Sequence, residues 1–123
     1  MFENEIESLV KCMNIDAENF SVSYNPDIQN EKNSIGVEVV FVEENLPESL
    51  EDVQEAIADY PCYCKFDRNC LLLNFIKEKP NVSKLRYFLK NLLMVTDFSG
   101  IFALVGDTIY YQQGNYALEY SLN

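Results

Sequence analysis

The residues best suited to chemistry in this chain are thiols and carboxylates. Three of the four cysteines fall within the stretch Cys62-Tyr63-Cys64-Lys65-Phe66-Asp67-Arg68-Asn69-Cys70, and Cys12 stands apart. Thiols this close invite a metal or redox reading, but the spacing does not support either. Cys62 and Cys64 are separated by one residue, whereas redox and zinc motifs space their cysteines as Cys-x-x-Cys. The chain has no histidine, so further zinc ligands would have to come from Cys12 or carboxylates. Folded as a β-hairpin with Arg68 and Asn69 at its tip, the segment pairs Phe66 with Leu71, Cys64 with Leu73 and Cys62 with Phe75. Those six side chains share a face that must be core, and Cys70 falls on the other face beside Asp67. The expectation is that the cysteines are small buried hydrophobes, with no metal and no cofactor. Arg-Asn is a weak turn pair, however, and a slip of one residue would send Cys62 and Cys64 to the opposite face.

Catalytic machinery is sparse. Without histidine the chain lacks the commonest general base near neutral pH and the usual activator of a nucleophile. It contains no nucleophile elbow, phosphate-binding glycine loop or dinucleotide fingerprint. Adjacent carboxylates such as Glu43-Glu44 and Glu51-Asp52 lie in polar stretches, where nothing would drive their pKa values apart. The loop from Asn25 to Asn33 is rich in oxygen ligands, yet it lacks the spacing and central glycine of a calcium loop. The expectation is a protein that is not an enzyme.

The elements that must position these residues follow from hydrophobic periodicity. Phe2, Ile6, Leu9, Val10 and Met13 fall on one face of a helix whose first turn carries Glu3 and Glu5, where the helix dipole favours negative charge. Phe20, Val22 and Tyr24 alternate as a strand, and Val37, Val39 and Phe41 do so in a second strand. In that second strand Val40 and Val42 share a face with Glu38, which predicts partial cover on both sides. PESLEDVQEAIADYP reads as a helix capped by Ser49 and stopped by Pro61. A further helix follows Ser83, burying Leu85, Phe88, Leu89, Leu92 and Val95. Gly106-Asp107 and Gly114-Asn115 are tight-hairpin turns. Counting outward from them pairs Phe102 with Tyr111, Leu104 with Ile109, Tyr111 with Leu118 and Ile109 with Tyr120. The predicted fold is a single α+β domain over residues 1–123. Its antiparallel sheet has about six to seven strands, joined by three helices in the order α-β-β-α-β-β-α-β-β-β.

Charge is the strongest functional signal. The net charge is −11, and residues 1–60 carry 15 of the 20 acids against only Lys11 and Lys32. Residues 61–123 are slightly basic. Direct nucleic-acid binding needs a basic footprint, so none is expected. A strongly negative surface instead favours a basic protein partner and speeds their encounter. The expected partner-binding residues are Glu43, Glu44, Glu48, Glu51, Asp52, Glu55 and Asp59, which crowd one stretch without a compensating base. Tyr110 and Tyr116 form a candidate secondary interface, against the alternative that Tyr110 packs beneath a helix or strand. No apolar run approaches the roughly 20 residues of a membrane helix. The start, MFENEIESL, is acidic where a secretory signal is basic, so a cytoplasmic protein without membrane association is expected. These features fit an inhibitor of the immunity or anti-defence type that covers a basic site on a nuclease, toxin or defence protein. The alternative is a small acidic secretion-type chaperone or adaptor, for which a homodimer is one of the assemblies open to it.

Overall fold

The computed structural model describes residues 1–43, 62–77 and 79–123. Helix α1 (Glu3–Met13) and a 3-10 turn (Ala17–Asn19) lead into β1 (Ser21–Val22), β2 (Ile28–Asn30) and β3 (Ile35–Val42). Strand β4 (Arg68–Phe75), helix α2 (Val82–Val95) and strands β5 (Gly100–Val105), β6 (Thr108–Gln113) and β7 (Tyr116–Ser121) complete the order. The seven strands of the described residues form one sheet in which neighbours in sequence are neighbours in space.

The sheet is mixed, not antiparallel as expected. β3 runs parallel to β4 and β4 parallel to β5, while the pairs at both ends are antiparallel. The reason lies in β4. Its run Leu71-Leu72-Leu73 is buried on both sides, as central parallel strands are, and parallel neighbours need long crossovers in place of tight turns. α2 supplies the crossover between β4 and β5.

The hairpin expected at Arg68-Asn69 does not form, because β4 begins at Arg68. Residues 66–69 are tied to the loops that precede the neighbouring strands. The Asp67 amide donates to Ser34 Oγ at 3.0 Å and the Asn69 amide to Ser99 Oγ at 3.0 Å. The Phe66 amide donates to Asn69 Oδ1 at 3.0 Å. Consequently Cys62 and Cys64 do not pair with Phe75 and Leu73, and Cys70 is the buried cysteine.

Two α-helices occur among the described residues, against three expected. The segment PESLEDVQEAIADYP lies outside those residues. α2 is capped two residues earlier than expected, by Asn81, whose Oδ1 accepts from the Lys84 amide at 3.2 Å. β2 occupies the loop Asn25–Asn33, where no strand was expected. The C-terminal meander has the expected register: Phe102 faces Tyr111, Leu104 faces Ile109, Tyr111 faces Leu118 and Ile109 faces Tyr120.

Each face of the sheet has its own core. α1 covers one, where Leu9 joins Ile28, Val37, Leu72, Phe102 and Ile109. α2 covers the other, where Leu85, Phe88 and Leu89 meet Leu71, Leu73 and Ile101. Burying each such side chain is worth about 1.5–3 kcal/mol, so the two layers together dominate stability. Among the described residues no helix is long and apolar enough to cross a membrane.

Candidate functional site

The most unusual polar arrangement lies where the β2–β3 hairpin meets the start of β4. Ile28 pairs with Val37, and extending that register by one residue sets Asp27 opposite Glu38. Like charges directly opposed across strands are destabilising, and the local structure offsets only part of this. Asp27 Oδ2 accepts from the Val39 amide at 2.9 Å, whereas Glu38 Oε2 is buried with no hydrogen-bond partner among the described residues. Burial, and then the adjacent Asp27 carboxyl, push Glu38 up to about 8. Near neutral pH the pair therefore holds one proton more than two free carboxylates would.

A small pocket opens beside this pair, lined by Pro26, Gly36, Glu38, Tyr63, Asn69 and Phe98, with Cys70 at its floor. Its volume, about 10 Å³, suits a single water molecule. Gly36 is required here: a Cβ would stand 2.6 Å from Phe66 Cδ2 and 2.7 Å from Pro26 Cγ. Tyr63 is raised by partial desolvation and by the Glu38, Tyr24 and Asp27 charges. The arrangement can store a proton and orient a water, but it brings no nucleophile to a substrate-sized cavity.

The sequence pattern placed Glu38 on a face with Val40 and Val42, which anticipates its burial. Asp27 and Tyr63 went unrecognised, because their approach depends on β2 and on the non-hairpin course of residues 62–67.

The cysteines divide differently from expectation. Cys70 is buried in the core beneath α1, and burial raises it to about 11. Burial also raises Cys12. Cys62 is half-buried against the α2 core, and Cys64 is exposed. Their sulfurs nevertheless approach to 3.2 Å. Among the described residues no group of three or more His, Cys, Asp or Glu side chains is gathered as a metal site would require.

Of the expected partner-binding acids, Glu43 is exposed just past the end of β3. Glu44, Glu48, Glu51, Asp52, Glu55 and Asp59 lie outside the described residues. Tyr110 and Tyr116 are on opposite faces of the sheet, as the pairings Tyr110–Glu119 and Gln113–Tyr116 require. Tyr110 is buried in the α2 core, with the Arg86 guanidinium 5.4 Å from its ring centroid. Tyr116, on edge strand β7, is 59% exposed. Only the second is available as surface.

Charge follows the same two-sided plan. On α1, Glu3 and Glu7 are exposed, and Lys11 reaches Glu7 at 3.2 Å in the one pairing of two charged side chains among the described residues. On α2 the charged residues are Lys84, Arg86 and Lys90, with no acid in the helix. Because the helices sit on opposite faces of the sheet, they cannot neutralise one another. Comparison with protein-family models, with curated proteins and with solved structures finds no match to this chain.

Proposed function

We propose that this protein is a non-enzymatic binding module whose acidic half covers a basic site on another protein, acting as an inhibitor of the immunity or anti-defence type. The observation that carries the reading is the separation of charge. The acids concentrate in residues 1–60, and the sheet keeps the acidic surface of α1 apart from the bases of α2. Glu18, Glu31 and Glu43 add further exposed acids in the same half. Unneutralised negative charge of this density favours a basic partner and raises its encounter rate. The binding residues in this reading are Glu43, Glu44, Glu48, Glu51, Asp52, Glu55 and Asp59. The partner class is a nuclease, toxin or defence protein with a basic groove.

The second reading, a chaperone or adaptor, draws on β7. This six-residue edge strand has one row of backbone donors and acceptors without a strand partner among the described residues and carries exposed Tyr116 and Tyr120. Such an edge can accept an extended segment as an added strand, or pair with a second copy of itself.

Parallel capture experiments separate the two. One bait is the native chain, and the other carries the seven acids changed to Gln or Asn. The inhibitor reading requires a basic protein that binds the native bait and is lost from the neutralised one. A partner retained equally by both, and released by substituting Tyr116 and Tyr120, replaces it with the adaptor reading.

A further inference from the structure

We infer that Cys62 and Cys64 form a redox-responsive dithiol that closes to a disulfide by exchange with a low-molecular-weight disulfide. The inference stands apart from the binding function. It rests on three observations about one short segment. The two sulfurs lie 3.2 Å apart although the residues are separated only by Tyr63. Cys64 takes a left-handed backbone conformation, with φ of 50°. That region is uncommon outside glycine and asparagine and marks a segment whose shape is imposed by its surroundings. The two thiols are also unequally placed: Cys64 is open to solvent, while Cys62 is partly buried and lies 3.7 Å from the Asp97 carbonyl, to which it donates.

This inequality assigns the roles. An oxidant in solution meets Cys64 first, because exchange needs an accessible attacking sulfur. Burial and the neighbouring Cys64 hold the Cys62 proton in place, pushing that thiol up to about 11. Cys62 is therefore the slower, resolving thiol. In the first step Cys64, as thiolate, attacks one sulfur of the small disulfide, breaking its S–S bond and releasing one small thiolate. In the second, Cys62 gives its proton to solvent and attacks Cys64 Sγ, expelling the second small thiolate. The two cysteines lose two electrons and two protons between them, and the oxidant is reduced to two thiols. The resulting ring encloses Tyr63, the residue beside Glu38 in the pocket, so oxidation would report at that site.

The test uses the full chain and glutathione disulfide as the probe, read by intact mass and peptide mapping. The native chain is expected to lose two hydrogens, with the new bond mapped between Cys62 and Cys64 while Cys12 and Cys70 stay reduced. Cys62→Ser should stop at a stable glutathione adduct on Cys64, because the resolving thiol is gone. Cys64→Ser should react at Cys62 at least about tenfold more slowly, as a half-buried thiol of raised pKa would. A native chain that accumulates the unresolved Cys64 adduct overturns the inference. So does oxidation of Cys12 or Cys70 ahead of this pair, or a Cys64→Ser variant that reacts as fast as the native protein. The native-chain result alone decides the matter if either variant folds poorly.

Discussion

The two helices flank one sheet but are fastened to it by different means. α2 meets its face with Leu85, Phe88, Leu89 and Leu92 against Leu71, Leu73 and Ile101, and of the buried side chains that β4, β5 and β6 present on that face only Tyr110 and Gln112, among the described residues, carry a polar atom. α1 brings Leu9 to its face and also turns Glu5 and Ser8 inward. Asn74 Nδ2 of β4 donates to Glu5 Oε2 at 3.1 Å, with both residues buried. Glu5, which the sequence places in the first turn of the helix, is therefore part of the interior. Hydrocarbon packing has no preferred direction, whereas a hydrogen bond to a carboxylate fixes both distance and orientation. The α2 side should tolerate repacking at constant volume, and the α1 side should be sensitive to the loss of one specific partner.

Truncation in the α2 layer is expected to have the largest effect. Leu89 is 1% exposed, and Leu89→Ala should cost about 2–5 kcal/mol, measured as a lowered urea midpoint. Leu89→Met should cost less than about 1.5 kcal/mol, because it conserves volume. Equal costs for the two substitutions would break the contrast.

Next comes Asn74→Ala, which leaves a buried carboxylate without its donor and should cost about 1.5–3 kcal/mol. Combining it with Glu5→Gln should recover part of that loss, because a neutral amide is easier to bury unpaired than a charge. If the double variant is no better than Asn74→Ala, the bond does not set the energetics of the α1 layer.

The Asp27–Glu38 pair gives a pH signature. Glu38 is raised in the folded protein from an ordinary value of 4.5 to about 8. Between those values the folded state binds more protons than the unfolded state. Stability is therefore expected to fall as pH rises through that window, the sign opposite to that of a salt-bridged carboxylate. The titratable groups beside Glu38 are Asp27 and Tyr63, neither of them basic. Glu38→Gln should flatten the dependence, as read from urea midpoints at a series of pH values. A native chain that gains stability over the same range contradicts the assignment.

The smallest effect is expected for Arg86→Ala. It removes the guanidinium over the Tyr110 ring and should cost about 0.5–1 kcal/mol. That would sharpen the view that the charges outside α2 contribute little to holding it down.

What the sequence revealed depended on whether a local signal had one solution. Gly106-Asp107 and Gly114-Asn115 are short turns with a fixed geometry, and residue pairing across β5, β6 and β7 followed from them directly. Both helices among the described residues were visible as apolar stripes. The run Cys70-Leu71-Leu72-Leu73, by contrast, suits either a hairpin arm or a central strand buried on two faces. Nothing local distinguishes them; the contacts that accompany the central placement, to Ser34 and Ser99, come from residues distant in sequence. β2 was hidden for a related reason. It is only three residues long, and Gln29 is satisfied by donating to the Pro26 carbonyl at 3.1 Å, an interaction invisible to periodicity. With β2 unrecognised, Asp27 had no strand partner and the Glu38 pair could not be seen. The approach of Cys62 to Cys64 was lost in the same way, once the segment had been read as a strand.

The central claim, that the acidic half exists to meet a basic protein, is tested most directly by association kinetics across ionic strength. The captured partner would be mixed with the native chain and with the variant neutralised at Glu43, Glu44, Glu48, Glu51, Asp52, Glu55 and Asp59. Electrostatic steering predicts a native association rate faster by roughly tenfold or more at low salt, with the difference closing as salt is added. Identical rates for the two proteins at every salt concentration would contradict the claim and leave the acidic half as a solvated surface.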